Sequence, residues 1–400
     1  MRLLQQKFAK YNVPQIAKEN GLYPYYHSFE SGQDTEVIVN GEKALMFGSN
    51  SYLGLTNHPE IIEAAKKALN KYGTGASGSR LMNGNLDLHN ELENNLAEFV
   101  NKPAATVFST GFQVNMGTIP SLVGRNDLIV YDEKSHASII EGCRLAFAKN
   151  LKYKHNNMEA LEKILQKTDK NHTTLIITDG IFSMEGDIAP LDKICKLADK
   201  YSASVMVDDA HAFGVIGKNG SGTASYFNIT EKTDLIMGTF SKSLASLGGF
   251  IAGDFETINY IKHNARSLVF SAGIPPASAA TVLKALEIIK REPERISRLW
   301  KNTNYASECL LQEGFSIGES TTPIIPILIG DDIKTFQYGV MLLKEGIYVN
   351  PVVSPGVEKG KAMLRFSLMA THTKEQIDIA VDKLIKCRKL IETVEPIEKY

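Results

Sequence analysis

Two residues stand out for the chemistry that their types and spacing allow. Asp208 closes an apolar run in Val207-Asp208-Asp209-Ala210-His211, and Lys242 stands among hydroxyls in Gly238-Thr239-Phe240-Ser241-Lys242-Ser243, at the end of the next run. An amine in a water-poor pocket loses basicity and becomes a nucleophile toward an aldehyde. A carboxylate at a pyridine nitrogen makes that ring an electron sink. Hydroxyls and backbone N–H groups bind phosphate. An aldehyde, a pyridine and a phosphate are the three parts of pyridoxal 5'-phosphate (PLP), so the pair points to a PLP site.

Other segments carry weaker signals that gain weight in this company. Ser109-Thr110-Gly111-Phe112-Gln113 follows the strand-like run Ala104–Phe108 and opens a helix-like stretch, where backbone N–H groups and the helix dipole attract phosphate. In Ser135-His136-Ala137-Ser138, the imidazole follows another strand-like run and is placed to stack on a flat cofactor. Standing alone, such a histidine is more often structural. His211 lies within reach of a phenolic oxygen on a ring held by Asp208. Asp208, Asp209 and His211 are also potential metal ligands, but no second acidic or histidine cluster accompanies them, and no metal is expected. Gly73-Thr74-Gly75-Ala76-Ser77-Gly78 matches a dinucleotide fingerprint, yet a helix precedes it where that motif requires a strand. It reads better as a ligand-facing loop with hydroxyls at Ser77 and Ser79.

The elements that must position these residues alternate. Apolar runs Ala104–Phe108, Leu128–Tyr131, Leu175–Ile177, Val205–Val207, Leu235–Met237 and Phe250–Ala252 are separated in several places by helix-like stretches such as Leu161–Gln166 and Leu191–Tyr201. Strands with little alternation are buried on both faces, so a mostly parallel sheet covered by helices is expected, with ligands at the strands' carboxyl ends. From about residue 280 the pattern changes to a helical stretch, strand candidates Ile324–Ile329, Ile347–Val349 and Met363–Leu368, and a final helix near Lys374–Ile391. The expected organisation is an N-terminal arm over 1–45, a large α/β domain over 46–280 and a smaller α/β domain over 281–400.

Composition bounds the function. Of 400 residues 43% are hydrophobic, and nothing in the formal net charge of -1 points to an electrostatic nucleic-acid binder. The four cysteines are scattered without a CxxC pair, which fits reduced thiols in the cytoplasm. No leader-like apolar segment follows Met1, and no apolar run is long enough to span a bilayer.

From Phe47-Gly48-Ser49-Asn50-Ser51-Tyr52-Leu53-Gly54 to Arg365-Phe366-Ser367, the chain resembles the PLP-dependent α-oxoamine synthases of the fold type I aminotransferase superfamily. Aminotransferases of that superfamily usually carry Tyr where His211 stands. Three branches of the family, the aminooxononanoate, aminolevulinate and glycine C-acetyl enzymes, typically place Gly before the Schiff-base lysine and Ala after it. Ser241-Lys242-Ser243, Lys262-His263-Asn264-Ala265-Arg266-Ser267 and Asn350-Pro351-Val352-Val353-Ser354-Pro355 resemble instead the soluble bacterial branch that acts on L-serine. Two departures stand out: Ala212, where that branch usually has Ser, and Gly273-Ile274, where it tends to have Ser-Met.

The resemblance implies a homodimeric transferase with the fold type I architecture, large and small domains included. It would condense L-serine with a long-chain acyl thioester, releasing carbon dioxide, to give 3-ketodihydrosphingosine, the first product of sphingolipid biosynthesis. Cysteate as the amino acid, or a glycine-using relative, stays open, as do a coenzyme A or carrier-protein donor and weak peripheral membrane association. The resemblance also assigns roles. Lys242 would hold PLP and act as the base, and Asp208 would pair with the pyridine nitrogen. His136 would stack on the ring, and His211 would contact the phenolic oxygen. Gly111, Phe112, Thr239 and Ser241 would hold the phosphate, with Ser271 and Ala272 from the partner subunit. Arg365 would receive the amino-acid carboxylate, near Asn50 and Ser79.

Overall fold

The computed structural model describes residues 2–169 and 171–393. Its centre is a seven-stranded sheet with the spatial order Ala104–Phe108, Gly249–Gly253, Leu235–Thr239, Ser204–Asp208, Thr174–Asp179, Leu128–Asp132, Lys149–Tyr153. Gly249–Gly253 runs against both neighbours, and every other pairing in this sheet is parallel. Thr174–Asp179, Leu235–Thr239 and Gly249–Gly253 are buried along their whole length, as strands covered on both faces must be. The expected parallel α/β architecture is what the chain adopts.

One strand of this sheet was not expected. Lys149–Tyr153 lies at the sheet's margin, and most of its side chains are exposed. Its lysines and asparagine remove the apolar run that marks the inner strands, a composition that suits an edge.

Helix boundaries follow local chemistry. Pro59–Tyr72 begins with Pro at a position that needs no N–H, while the His58 ring accepts from the Glu60 N–H at 3.3 Å. It ends at Gly73, whose φ of +79° is costly for any residue with a Cβ. Gly111–Leu122 begins at Thr110, whose hydroxyl accepts from the Gln113 N–H at 3.1 Å.

Toward the C-terminus, Ile324–Gly330, Ala362–Ser367 and Asn350–Val352 form an antiparallel sheet with Ala362–Ser367 in the middle. A third sheet joins the hairpin Glu36–Val39 and Glu42–Met46 to Ile347–Tyr348. Most of this hairpin lies in the stretch expected as an N-terminal arm, and it pairs with a segment of the expected C-terminal domain. Phe47 stacks between Phe366 and His372, with centroids 4.4 and 4.3 Å away. The helices Leu3–Phe8 and Val13–Glu19 bury no residue. Pro276–Arg291 packs on Pro59–Tyr72 and Asp87–Phe99. We propose the domain division as large sheet with its helices and smaller C-terminal body, the latter including the hairpin.

Glu93 ties the glycine-rich loop to the large sheet. Its buried carboxylate takes Arg80, the Lys262 ammonium at 2.7 Å and the Val107 N–H at 2.9 Å. Burial alone would raise its pKa, but the pairing with Arg80 and Lys262 outweighs it and holds the group below the usual glutamate value. Glu93→Gln removes the charge that faces Arg80, which keeps only its bonds to Asn85 Oδ1 at 2.9 and 2.7 Å and to Val107 O, and is expected to destabilise the fold by about 1.5–3 kcal/mol, read from the denaturant midpoint. Because the wild-type pKa is depressed, this contribution is present above the ordinary glutamate pKa and is lost as pH falls below it. A variant midpoint within error of wild type at neutral pH contradicts this account.

Candidate active site

The carboxyl ends of the parallel strands open into a cavity of ≈ 240 Å³. Of the residues singled out from sequence, Gly111, Phe112, His136, Asp208, His211, Thr239, Ser241 and Lys242 all line it. Each arrives at or just beyond a strand end, the position where open α/β sheets bind ligands.

Lys242 sits one turn beyond Leu235–Thr239. No hydrogen bond or ion pair to its amine is found among the described residues. Burial is the main force on it and lowers its pKa to about 7; Asp208 opposes that shift and Arg365 adds to it. At neutral pH a large share of the amine is therefore uncharged and nucleophilic.

Opposite it, Asp208 is buried, and both its oxygens accept from N–H donors: Asn115 Nδ2 at 2.8 Å and the Ala210 backbone at 3.1 Å. That is the environment of an anion. Its neighbour Asp209 faces elsewhere and accepts from the Thr223 N–H at 2.8 Å. Burial pushes Asp209 up to about 7. The acidic pair thus divides into a cavity residue and a structural one.

The same Asn115 Nδ2 reaches Ser138 Oγ at 2.8 Å, and Ser138 Oγ reaches His136 Nδ1 at 2.7 Å. His136 Nδ1 also accepts from the Ser138 N–H at 3.2 Å. A nitrogen that accepts from a backbone N–H is unprotonated, so the neutral ring carries its proton on Nε2. Burial keeps this ring's pKa below the usual histidine value. Asp208 and His136 therefore share one hydrogen-bonded network that fixes the imidazole.

His211 is held by the Tyr52 hydroxyl at 2.7 Å from Nδ1, which leaves Nε2 for the cavity. Desolvation pushes its pKa well down, with Lys242 and Arg365 adding to the effect, so the ring is neutral. Tyr52 also receives Arg365 Nη2 at 3.3 Å and lies 3.3 Å from Asn50 Oδ1. Arg365 is buried and anchored through Nε on Ser183 O at 2.6 Å and Nη1 on Ser367 Oγ at 2.8 Å. Arg365 and Asn50 thus join the site through Tyr52. Ser79, Ser271 and Ala272 form a separate group: Ser79 bridges to Ala272, Ser109 Oγ donates to Ala272 O, and Gln113 reaches Ser271 Oγ at 3.4 Å. They do not line the cavity.

Sequence reading missed Asp179, Asn115 and Tyr52. Asp179 lies in register beside Asp208 on the adjacent strand, lines the same cavity and accepts from the His136 N–H at 3.1 Å. Burial, with Asp208 beside it, raises its pKa well above the carboxylate range. The signal for Asp179 was the one used for Asp208, an acid closing an apolar run.

These residues fit PLP. Thr110 caps the helix at Gln113, while the Gly111 and Phe112 N–H groups make no hydrogen bond among the described residues. A Cβ added at Gly111 would stand 2.5 Å from Thr239 Oγ1, so only glycine leaves the hollow between the helix start and the Thr239 and Ser241 hydroxyls. Unpaired N–H groups beside hydroxyls suit a phosphate group. Asp208 suits a pyridine nitrogen, His211 Nε2 a phenolic oxygen and Lys242 an aldehyde.

The description Aminotransferase class I and II matches residues 42–384. The chain belongs to this family, in its α-oxoamine synthase branch. It is 56% identical over 389 residues to a serine palmitoyltransferase of Sphingobacterium spiritivorum, covering 97% of this chain and 98% of that protein. It is 52% identical to a serine palmitoyltransferase of Bacteroides ovatus, covering 98% and 100%. The solved serine palmitoyltransferase of S. paucimobilis, with a PLP–myriocin aldimine bound, superposes with a TM-score of 0.95 at 32% identity, covering 98% and 100%.

Gly111→Ala fills the hollow below Thr239 and is expected to weaken PLP binding to the apoprotein by about tenfold, roughly 1.4 kcal/mol. A fluorescence titration with PLP reads this directly, and unchanged affinity removes Gly111 from the cradle.

Proposed function

We propose that this chain is a PLP-dependent C-acyltransferase that condenses L-serine with a long-chain acyl-CoA, with loss of carbon dioxide, to give 3-ketodihydrosphingosine. The observation that carries the chemistry is an unpaired, desolvated Lys242 in one cavity with Asp208 and the open phosphate cradle. The serine and acyl substrates are supported by the relatives at 52–56% identity over nearly the whole chain. We propose further that it works as a homodimer in the cytoplasm, with Ser271 and Ala272 serving the partner's site and with weak attachment to membrane surfaces. Among the described residues no helix is long and apolar enough to cross a membrane.

The cofactor, when bound, supplies an electron sink for charge developing at the amino-acid Cα. Lys242 would hold the cofactor aldehyde through its neutral amine, and its Nζ would serve as the base for the Cα proton. Asp208, fixed by Asn115, holds a proton at the pyridine nitrogen and keeps the sink effective. His136, its Nδ1 occupied by Ser138, presents a fixed ring face and an Nε2–H toward the substrate. His211 offers Nε2 to the phenolic oxygen. Arg365 gives the substrate carboxylate a planar, always charged partner. Fixing that carboxylate orients the bonds at Cα, an effect worth several kcal/mol of barrier.

Lys242→Ala is expected to abolish keto-amine formation and the visible absorbance of the cofactor–lysine adduct; turnover in that variant sinks the assignment. Capture of PLP by the apoprotein requires the neutral amine, so its rate should rise with pH about an apparent pKa near 7. Stopped-flow absorbance between pH 5 and 10 tests this, and a midpoint near the ordinary lysine value refutes the desolvated amine. For the substrate, the holoenzyme is titrated spectrally with L-serine, L-cysteate, glycine and L-alanine, then given palmitoyl-CoA while carbon dioxide and keto-amine are followed. Saturation and turnover with serine support the reading. Saturation with cysteate alone keeps the lysine chemistry and replaces the substrate.

A further inference from the structure

His155 lies outside the cavity, just past the edge strand Lys149–Tyr153, and plays no part in the chemistry above. Its Nδ1 stands 3.0 Å from Asp132 Oδ1 and its Nε2 2.8 Å from Asp187 Oδ2. Carboxylates only accept, so both ring nitrogens donate and the ring is an imidazolium. The edge of the ring meets Phe182, with centroids 4.4 Å apart and planes at 87°. Asn156 repeats the bridge, its backbone N–H reaching Asp132 Oδ2 at 2.9 Å and its Nδ2 reaching Asp187 Oδ2 at 2.7 Å.

The two acids belong to different turns. Asp132 starts the turn that presents His136, taking the Lys134 N–H on its side chain at 2.9 Å and the Ser135 N–H on its carbonyl at 3.0 Å. Asp187 ends the turn that opens at Phe182, where the Phe182 N–H donates to Asp187 O at 3.0 Å. That turn carries Ser183, whose carbonyl holds Arg365 Nε at 2.6 Å. Besides the Asn156 bridge, which carries no charge, a third tie between the turns, Lys134 to Glu185 at 2.8 Å, is about one-third exposed and weak for that reason.

We propose that His155 is a positioning residue for the amino-acid substrate: it clamps the His136 turn to the Ser183 turn and so fixes the spacing between the His136 ring and the Arg365 guanidinium. This rests on Arg365 as the receiver of the substrate carboxylate. Burial would lower the pKa of His155, but its hydrogen bonds to Asp132 and Asp187 outweigh that and push it up to about 9. The clamp therefore keeps its charge through neutral pH and loses it as pH rises through about 9.

The test uses holoenzyme of Asp187→Asn and His155→Gln. Asp187→Asn leaves the Asp132–His155 bond in place and so preserves the fold. L-serine affinity is read by spectral titration, beside PLP affinity and the KM for palmitoyl-CoA. The expected result is serine binding weakened on the order of tenfold in each variant, a size set by loss of substrate orientation. PLP affinity and the acyl-CoA KM stay near wild type, and the double variant is no worse than either single one, as members of one unit behave. Wild-type serine affinity in folded Asp187→Asn overturns the clamp. Equal weakening of all three ligands, or failure of both variants to fold, also overturns it, because His155 is then merely structural. Arg365→Gln is measured alongside: unchanged serine affinity there defeats the reading of Arg365, a failure distinct from that of the clamp.

Discussion

Desolvation at the carboxyl ends of the parallel strands governs this site. Removing water from Lys242 favours its neutral form, which captures an aldehyde; water would restore the charge. The same desolvation acts on the acids with a different outcome for each. Asp208 is supplied with two N–H donors, while Asp179, in register beside it, is pushed toward the protonated form. The two adjacent carboxyl groups thereby resist presenting two charges opposite the lysine. Two charges would hold the ammonium form of Lys242 and remove its nucleophilicity.

The sheet produces this condition because its strands are covered on both faces. Burial is complete along Thr174–Asp179 and Leu235–Thr239, so any polar side chain at their ends must find partners inside the protein. Asn115 serves that purpose twice, donating to Asp208 and to Ser138. Its Oδ1 stays buried without a partner, so the amide is committed to the donors the site needs. His136 then has a fixed tautomer as a consequence of the polarity of the interior.

The parts of the site legible in the sequence were those carried by strand ends. Asp208, His211 and Lys242 follow apolar runs, and each run is a strand. Asn115 and Tyr52 were not legible, since each acts through a contact made across the fold: Asn115 reaches Asp208, and Tyr52 reaches His211 and Arg365. Local pattern carries no record of such distant contacts. The edge strand Lys149–Tyr153 escaped for the opposite reason, having no apolar run because it lies at the sheet's margin with most of its side chains exposed. The hairpin Glu36–Met46 pairs with Ile347–Tyr348, a partner far along the chain that no local spacing could identify.

The two departures from the serine-using branch acquire a physical meaning in the fold. Ala212 is fully buried beneath the site, among the apolar residues that pack around Phe213 and Val215. Gly273 donates its N–H to Gly78 O at 3.0 Å, which seats the glycine-rich loop against this segment. A Cβ at position 273 would stand 2.8 Å from Gly84 O and 3.2 Å from His89 Cε1. Serine there requires the loop to shift. Ile274 in turn is buried in the core, and its carbonyl contacts His89 Nε2 at 2.9 Å. Gly273-Ile274 is thus one packing solution for the seat of the loop that carries Ser79. Within one subunit neither residue lines the cavity, and the pair acts there through the position of the loop it seats.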